Sequence, residues 1–488
     1  MEYTPDLKSL RKHKVPGWYH DAKFGIFVHW SLSSIPAFAV VGKGDITEVM
    51  RKEGFKGHFK NNPYAEWYLN TLRIEGSPTQ QYHKETFGDK CSYYDFAPIF
   101  NESIKKWDPN EWADLFQKVG ARYVVLVTKH HDGFLLWPSQ YKNPHRDNYF
   151  ASRDVVGELT AAVRERNMKM GFYYSGALDW TFNEAPIKDF LSFVTNGSLD
   201  PDYAKYVENH WQELITLYKP SILWNDIGYP PTGKERELFA FFYNRTPEGV
   251  INDRWMKLSK NIRRMLKFRP LGALVSWLAK RSLIKGGSSL KPAHCDYVTP
   301  EYAYFKKIKR QKWESVRGIG NSFGYNKMEP DSNYLTLEKL VHMFIDIVSK
   351  NGNLLLNVGP MADGTIPEIQ KNLLLKFGEW LDINGEGLFE THPWIRAEGQ
   401  TLDALEIRYT QKRNVLYAFL LAKPLDKRIT IKSLIADKGT IIQMLGHPDS
   451  LEWEQSGDNL IINTPKNMID APAYGFKLNP KPENSLEK

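Results

Sequence analysis

The chain has 488 residues, 42% hydrophobic and 25% charged, with a formal net charge of +8. That length exceeds one compact core, so two domains are expected. Only two cysteines are present, Cys91 and Cys295, which excludes a disulfide framework or a cysteine-rich zinc site.

The charge is uneven. Between Met256 and Cys295 stand ten Lys or Arg and no Asp or Glu, so the remainder is slightly acidic and the excess belongs to one basic insert. The leading Met1–Pro16 is charged and lacks an apolar h-region, and no stretch is long enough to cross a bilayer. As given, the chain reads as cytoplasmic, or as secreted or periplasmic with its signal removed. Aromatic residues make up 14%, most of them accounted for by a large core, the rest suited to stacking on flat apolar faces.

Taken in order, Lys23–Trp30 reads as a first buried strand ending in His29, followed by a loop-rich stretch, 31–91, that embeds Glu66 among rings. Trp112–Val119 reads as a helix. Ala121–Thr128 is a β-branched strand leading into Lys129-His130-His131-Asp132-Gly133-Phe134. Asp154–Asn167 is an amphipathic helix, and the strand Lys169–Tyr174 follows it. After the helix Asp202–Tyr218 comes Ser221-Ile222-Leu223-Trp224-Asn225-Asp226, an apolar run that delivers a carboxylate into a Gly/Pro turn. A helix over Glu235–Asn244 and a strand over Gly249–Trp255 precede the insert. Beyond it stand Asp296-Tyr297-Val298-Thr299-Pro300-Glu301, the segment Trp313–Asn326, a helix Leu335–Lys350, a buried strand Asn353–Pro360 and a last helix Pro367–Asn384.

Short apolar strands alternating with helices argue for a parallel α/β architecture. Polar residues gather at the carboxyl ends of these strands, and no Gly-x-Gly-x-x-Gly follows an early one. The expectation is therefore a (β/α)8-like TIM barrel over residues 1–394, carrying the insert 256–295 at its mouth. After Trp394 the pattern changes to short β-branched runs (405–409, 415–421, 428–431, 439–445 and 459–463) that predict a small C-terminal antiparallel β-sandwich over 395–488, with Pro480–Lys488 frayed.

The strand-end inventory is His29, Glu66, His130, His131, Tyr173, Trp224, Asp226, Arg254 and Glu301. His130 and His131 could form a metal pair, but neighbours on a strand point to opposite faces and no H-x-H or H-E-x-x-H supplies further ligands. The expectation is no metal and no cofactor. Neither a Gly-x-Ser-x-Gly elbow nor a phosphate loop is present, and no nucleic-acid partner is expected. Two carboxylates on separate strands, flanked by His, Tyr, Trp and Arg, suit glycoside hydrolysis, where one attacks and the other protonates the leaving oxygen.

Over residues 15 to 395 these features resemble the α-L-fucosidases of glycoside hydrolase family 29. The resemblance is carried by Trp18-Tyr19-x-x-Ala22-Lys23-Phe24-Gly25-Ile26-Phe27-x-His29-Trp30, Glu66-Trp67-Tyr68, the Lys129–Phe134 run, Tyr173-Tyr174-Ser175, Leu223-Trp224-Asn225-Asp226, Asn252-Asp253-Arg254-Trp255 and Asn353–Pro360. It implies a retaining, exo-acting enzyme on fucosylated oligosaccharides or polysaccharides, with Asp226 as nucleophile and Glu301 as general acid/base. Glu314 and Glu66 are the alternatives for the second role. His29, His130, His131, Tyr173 and Trp224 would bind sugar hydroxyls, and Arg254 would pair with a carboxylate.

Family members usually have a much shorter link between Arg254 and Asp296. Three readings of the insert stand open: a surface excursion, a lid or subsite wall attracting anionic (sulfated) fucosides, and a basic amphipathic helix meeting a membrane or a partner. The rival functions are a catalytically silent fucose-binding protein, a metal-dependent hydrolase built on His130 and His131, and an α-L-galactosidase using the same site. A homo-oligomer is left open.

Overall fold

Seven parallel strands, each followed by a crossing to the next, build the first part of the chain: β1 (Phe24–Val28), β2 (Tyr123–Lys129), β3 (Lys169–Ser175), β4 (Ile222–Asp226), β5 (Val250–Ile251), β6 (Trp313–Gly318) and β7 (Gly352–Val358). Their order is β5-β4-β3-β2-β1-β7-β6. The computed structural model describes residues 2–284, 292–303 and 305–484. Every residue of β1, β2, β4 and β7 is buried, as a sheet covered by helices outside and packed with side chains inside requires. The helices Val155–Glu165, Pro201–Tyr218, Glu235–Arg245, Leu337–Ser349 and Glu368–Asn384 follow the strands. Their starts are local chemistry: Asp154, Asp200 and Thr336 each accept a first-turn backbone N–H, and Pro201 stands at a position that needs no N–H.

Residues 296–302 occupy the eighth place without forming a regular strand. Asp296 N–H donates to the Ile251 carbonyl at 2.9 Å, while Val298 bridges Trp313 and Glu301 bridges Val316, both parallel. The segment thus joins β5 to β6 and closes the barrel. Its irregularity has a plain cause, because Pro300 has no N–H for a ladder.

Several expectations are corrected. The stretch 31–91 is largely helical, with Ile46–Lys60 capped by Asp45 and Pro78–Phe87 capped by Ser77; neither has a marked apolar stripe for periodicity to reveal. The strand expected over Gly249–Trp255 pairs only at Val250–Ile251. The insert contains two helices, Lys260–Leu266 and Arg269–Ile284. Its residues 285–291 lie outside the described residues.

In the C-terminal part a five-stranded antiparallel sheet (β8, His392–Gln400; β9, Glu406–Lys412; β10, Val415–Leu420; with Ile441–Met444 and Tyr474–Asn479) faces a three-stranded one (Arg428–Ile431, Trp453–Ser456, Asn459–Asn463). Side chains of β10 alternate between two cores. Leu416, Ala418 and Leu420 pack into the sandwich, while Tyr417 and Phe419 join the barrel core. The larger sheet is therefore a middle layer. Of the tail expected to fray, Glu483–Asn484 pairs with Leu434–Ile435, and 485–488 lie outside the described residues.

Candidate active site

β4 brings Asp226 to the mouth of the barrel in register with Ser175 of β3, and Trp224 in register with Tyr173. Alternation along the strand points Trp224 and Asp226 the same way. The Asp226 side chain is only 10% exposed, and both oxygens are engaged: Oδ1 accepts from Arg254 Nη1 at 2.9 Å, and Oδ2 accepts from the Tyr173 hydroxyl at 2.8 Å. Burial alone would push its pKa up. The Arg254 guanidinium and the Tyr173 hydroxyl outweigh that and hold the carboxyl below its usual range. Asp226 is an anion at neutral pH.

Arg254 also reaches the second carboxylate. Its Nη2 donates to Glu301 Oε2 at 3.0 Å, and Glu301 Oε1 accepts from the Tyr64 hydroxyl at 2.7 Å. One guanidinium fork thus spans Asp226 and Glu301. Several neighbours aim that fork. Thr299 accepts from Arg254 Nε at 3.0 Å and is itself tied to Asp253 Oδ1, while Asn225 Nδ2 donates to the Arg254 carbonyl at 2.8 Å. The Trp224 ring lies 4.6 Å beneath the guanidinium. Both carboxylates precede a residue in the left-handed region, Ile227 at φ 55° and Tyr302 at φ 47°. For a β-branched Ile this is strained, and such strain persists only where the surroundings enforce it. Gly228 Cα lies so close to the Met256 carbonyl that a Cβ would come within 2.6 Å, so this turn needs glycine.

Three imidazoles line the adjoining wall, beside Tyr173 and Ser175. His29 Nδ1 meets Asn357 Oδ1 at 2.6 Å and His131 Nδ1 meets Ser175 Oγ at 2.6 Å, whereas buried His130 Nδ1 has no protein partner. Burial pushes His29 down to about 4, His131 down to about 3 and His130 well below its ordinary value, so all three are neutral near pH 7. Neutral imidazoles both donate and accept, which suits sugar hydroxyls. The strand-alternation argument against a His130–His131 pair fails here. Both residues lie beyond the end of β2, and their ring centroids are 4.0 Å apart. Among the described residues, no three His, Cys, Asp or Glu side chains converge as metal ligands would.

Glu66 sits in the turn Ala65–Trp67 of the loop after β1, not at a strand end. Its Oε2 accepts from Gly324 N–H at 2.8 Å, and burial pushes its carboxyl up to about 8, so it stands mostly as the neutral acid. Trp224 is not free to bind a hydroxyl with its N–H, which donates to Glu314 Oε1 at 3.0 Å. Glu314 is corrected as an alternative acid/base. It is fully buried at the foot of the barrel, accepting also from Tyr19 at 2.9 Å and Tyr123 at 2.6 Å. Tyr64, Asp253, Thr299 and Asn357 were missed as participants. Tyr64, Asp253 and Asn357 lie within two residues of, or inside, the motifs singled out, but their roles depend on partners far along the chain.

A barrel whose mouth gathers two carboxylates, neutral imidazoles and aromatic walls belongs to the glycoside hydrolases. Residues 1–386 match the alpha-L-fucosidase family, and residues 402–479 match the alpha-L-fucosidase C-terminal domain. The chain belongs to the alpha-L-fucosidase family. Alpha-L-fucosidase of Dictyostelium discoideum is 31% identical over 95% of this chain and 92% of its own length. Human tissue alpha-L-fucosidase is 31% identical over 95% of this chain and 88% of its own length. The crystal structure of Thermotoga maritima alpha-fucosidase in complex with a mechanism-based inhibitor is 39% identical, covers 98% of this chain and 99% of its own, and superposes with a TM-score of 0.82.

Proposed function

We propose that the chain is a retaining, exo-acting α-L-fucosidase in which Asp226 is the nucleophile and Glu301 the general acid/base. The observation that carries this reading is the Arg254 fork, which ties Asp226 Oδ1 and Glu301 Oε2 to one guanidinium. The fork holds the two carboxylates on the same side of the mouth, as a nucleophile and acid/base pair requires; the retaining assignment predicts their carboxyl groups roughly 5–5.5 Å apart. Asp226 attacks the anomeric carbon as the glycosidic C–O bond breaks, and Glu301, 30% exposed at the rim, gives its proton to the departing oxygen. Water then attacks the glycosyl ester, Glu301 takes its proton, and Asp226 leaves as the carboxylate. His29, His130, His131 and protonated Glu66 orient the sugar hydroxyls. Catalysis is assigned to residues 1–394 and a supporting role to the sandwich, 395–488.

A preference for sulfated fucosides gains no support at the site. Two cations of the insert that lie near the barrel are committed to protein: Lys257 to Glu235 at 2.6 Å, and Arg263 to the Leu258, Thr195 and Gly197 carbonyls.

The test is an NMR time course on an aryl α-L-fucoside. α-Fucose as the first anomer is expected; β-fucose first would overturn the retaining assignment, and no turnover would favour a fucose-binding protein. Replacing Glu301 with Ala should slow poor leaving groups by about 10²–10⁴-fold while sparing activated aryl ones.

A further inference from the structure

The two helices of the basic insert turn their apolar side chains outward. In Arg269–Ile284 the exposed positions Ala273, Leu274, Trp277 and Leu278 follow the three- and four-residue spacing of one helical face, while Gly272 and Ala279 are buried. In Lys260–Leu266 the pattern is the same: Ile262 and Met265 are exposed, and Arg263 and Leu266 are buried. Phe268, in the short joint, is 67% exposed, and Trp277 is 52% exposed. This inverts the usual arrangement of a surface helix, and so many large apolar side chains within seventeen residues mark a binding surface rather than scattered exposure.

Its surroundings are cationic. Lys260, Arg264, Lys267 and Arg281 are exposed along the same two helices, and the whole segment from Met256 to Cys295 contains no acid. The insert is anchored from below, since Arg263 bonds the carbonyls of Thr195 and Gly197 and the longer helix packs on Ile46–Lys60. The outward face is thus presented by a held element. A second copy fits it poorly, because two such faces would bring like charges together with no acid among them. An anionic polysaccharide would use the cations and the faces of Phe268 and Trp277 but not the bared aliphatic Ile262, Met265, Leu274 and Leu278. An anionic bilayer uses all of them, with rings and aliphatic chains entering the headgroup boundary and Lys and Arg meeting lipid phosphates and carboxylates.

We propose that the insert is a docking surface for an anionic lipid bilayer, holding the enzyme peripherally at a membrane. The proposal does not depend on which residues perform catalysis.

The test is co-sedimentation of the full chain with vesicles of phosphatidylcholine alone and with added phosphatidylserine, at low and physiological salt. Binding to the phosphatidylserine vesicles is expected, weaker by at least about tenfold to neutral vesicles and weakened by salt. Trp277→Ser with Leu278→Ser should abolish binding and leave aryl-fucoside turnover unchanged, and Lys260→Glu with Lys267→Glu should do the same. Equal recovery in the supernatant with and without anionic vesicles would overturn the proposal, as would binding that survives both double variants. Light scattering that shows an oligomer dissociated by the Trp277/Leu278 variant, without vesicle binding, would reassign the face to contacts between copies.

Discussion

Tyr173 shows how one hydroxyl can set the chemistry of a carboxylate. It donates to Asp226 Oδ2 at 2.8 Å and stacks on Trp224, so Tyr173→Phe keeps the ring and removes the donor. A hydrogen bond to an ionised group is worth about 1.5–3 kcal/mol, which translates to a roughly ten- to hundredfold fall in kcat/KM. The sign of the pH effect is fixed. Asp226 is held low in part by this bond, and losing it raises its pKa. The acidic limb of the kcat/KM profile should therefore move to higher pH, and an unmoved limb would remove Asp226 as the group that titrates there. Glu314 is the contrasting carboxylate. It accepts from Tyr19, Tyr123 and Trp224 in the closed foot of the barrel, and burial holds its pKa up. Glu314→Gln, which loses an acceptor for one of these donors, should lower the unfolding midpoint by about 1–3 kcal/mol worth of stability, the cost of one unsatisfied buried group. Its dependence on the leaving group should stay that of the parent, unlike Glu301→Ala. A series of aryl fucosides distinguishes the two.

Among the elements, the ring of Tyr123 on β2 lies across Gly25 of β1, in space that a side chain on β1 would fill. A Cβ on Gly25 would come within 2.4 Å of the Tyr123 ring, which is fully buried and cannot swing away. Gly25→Ala should therefore cost about 1–3 kcal/mol, read from denaturant unfolding, by overpacking. Because Tyr123 bonds Glu314, and Glu314 holds the Trp224 ring beneath Arg254, the same change should also reduce turnover modestly. The eighth stave, 296–302, is the element a reader of periodicity finds hardest to place. It pairs at isolated positions, and two hydrogen bonds that Thr299 donates to Asp253 Oδ1, from its N–H and its hydroxyl, add what a longer ladder does elsewhere. Those bonds bring Glu301 back beside Arg254 after an insert of some forty residues.

Across the whole molecule the middle sheet joins barrel to sandwich through apolar and ionic contacts together. Trp380 Nε1 donates to the Ala473 carbonyl at 3.1 Å, and Asp346 receives both Lys350 at 2.7 Å and Arg408 at 2.6 Å. Asp346 and its two cations are all largely buried. Asp346→Ala removes the shared carboxylate but leaves each cation a second, more exposed partner, Glu398 for Lys350 at 2.8 Å and Glu406 for Arg408 at 2.9 Å, so the loss should be about 1–3 kcal/mol, short of that for a buried charge left unpaired. Unfolding should be earlier by that amount, with kcat/KM of the folded enzyme unchanged because none of these residues reaches the mouth. An equal loss of kcat would mean that the sandwich shapes the active site.

Much of this was legible in the residues themselves. Buried parallel strands announce themselves as continuous apolar runs, and a strand that ends in a charged residue places that charge at the barrel mouth, so β1 to β4 and β7, the (β/α)8-like class and Asp226 follow from local pattern. Strand-end position alone does not separate Glu301 from Glu314, because both follow apolar residues near the same stave. What separates them is depth: three donors close over Glu314, whereas Arg254 and Tyr64 hold Glu301 at the rim. Helix 46–60 and the edge strand His392–Gln400 escaped notice because neither presents a clean apolar period; the first depends on its Asp45 cap and the second on pairing with β9. The outward apolar face of the insert was equally hidden. Sequence shows that a helix has an apolar side, but only packing against 46–60 decides which side is left to solvent. Period and propensity are local properties of the chain. Burial, protonation state and the meeting of Asp226, Arg254 and Glu301 depend on residues far apart in sequence, and only the folded barrel brings them together.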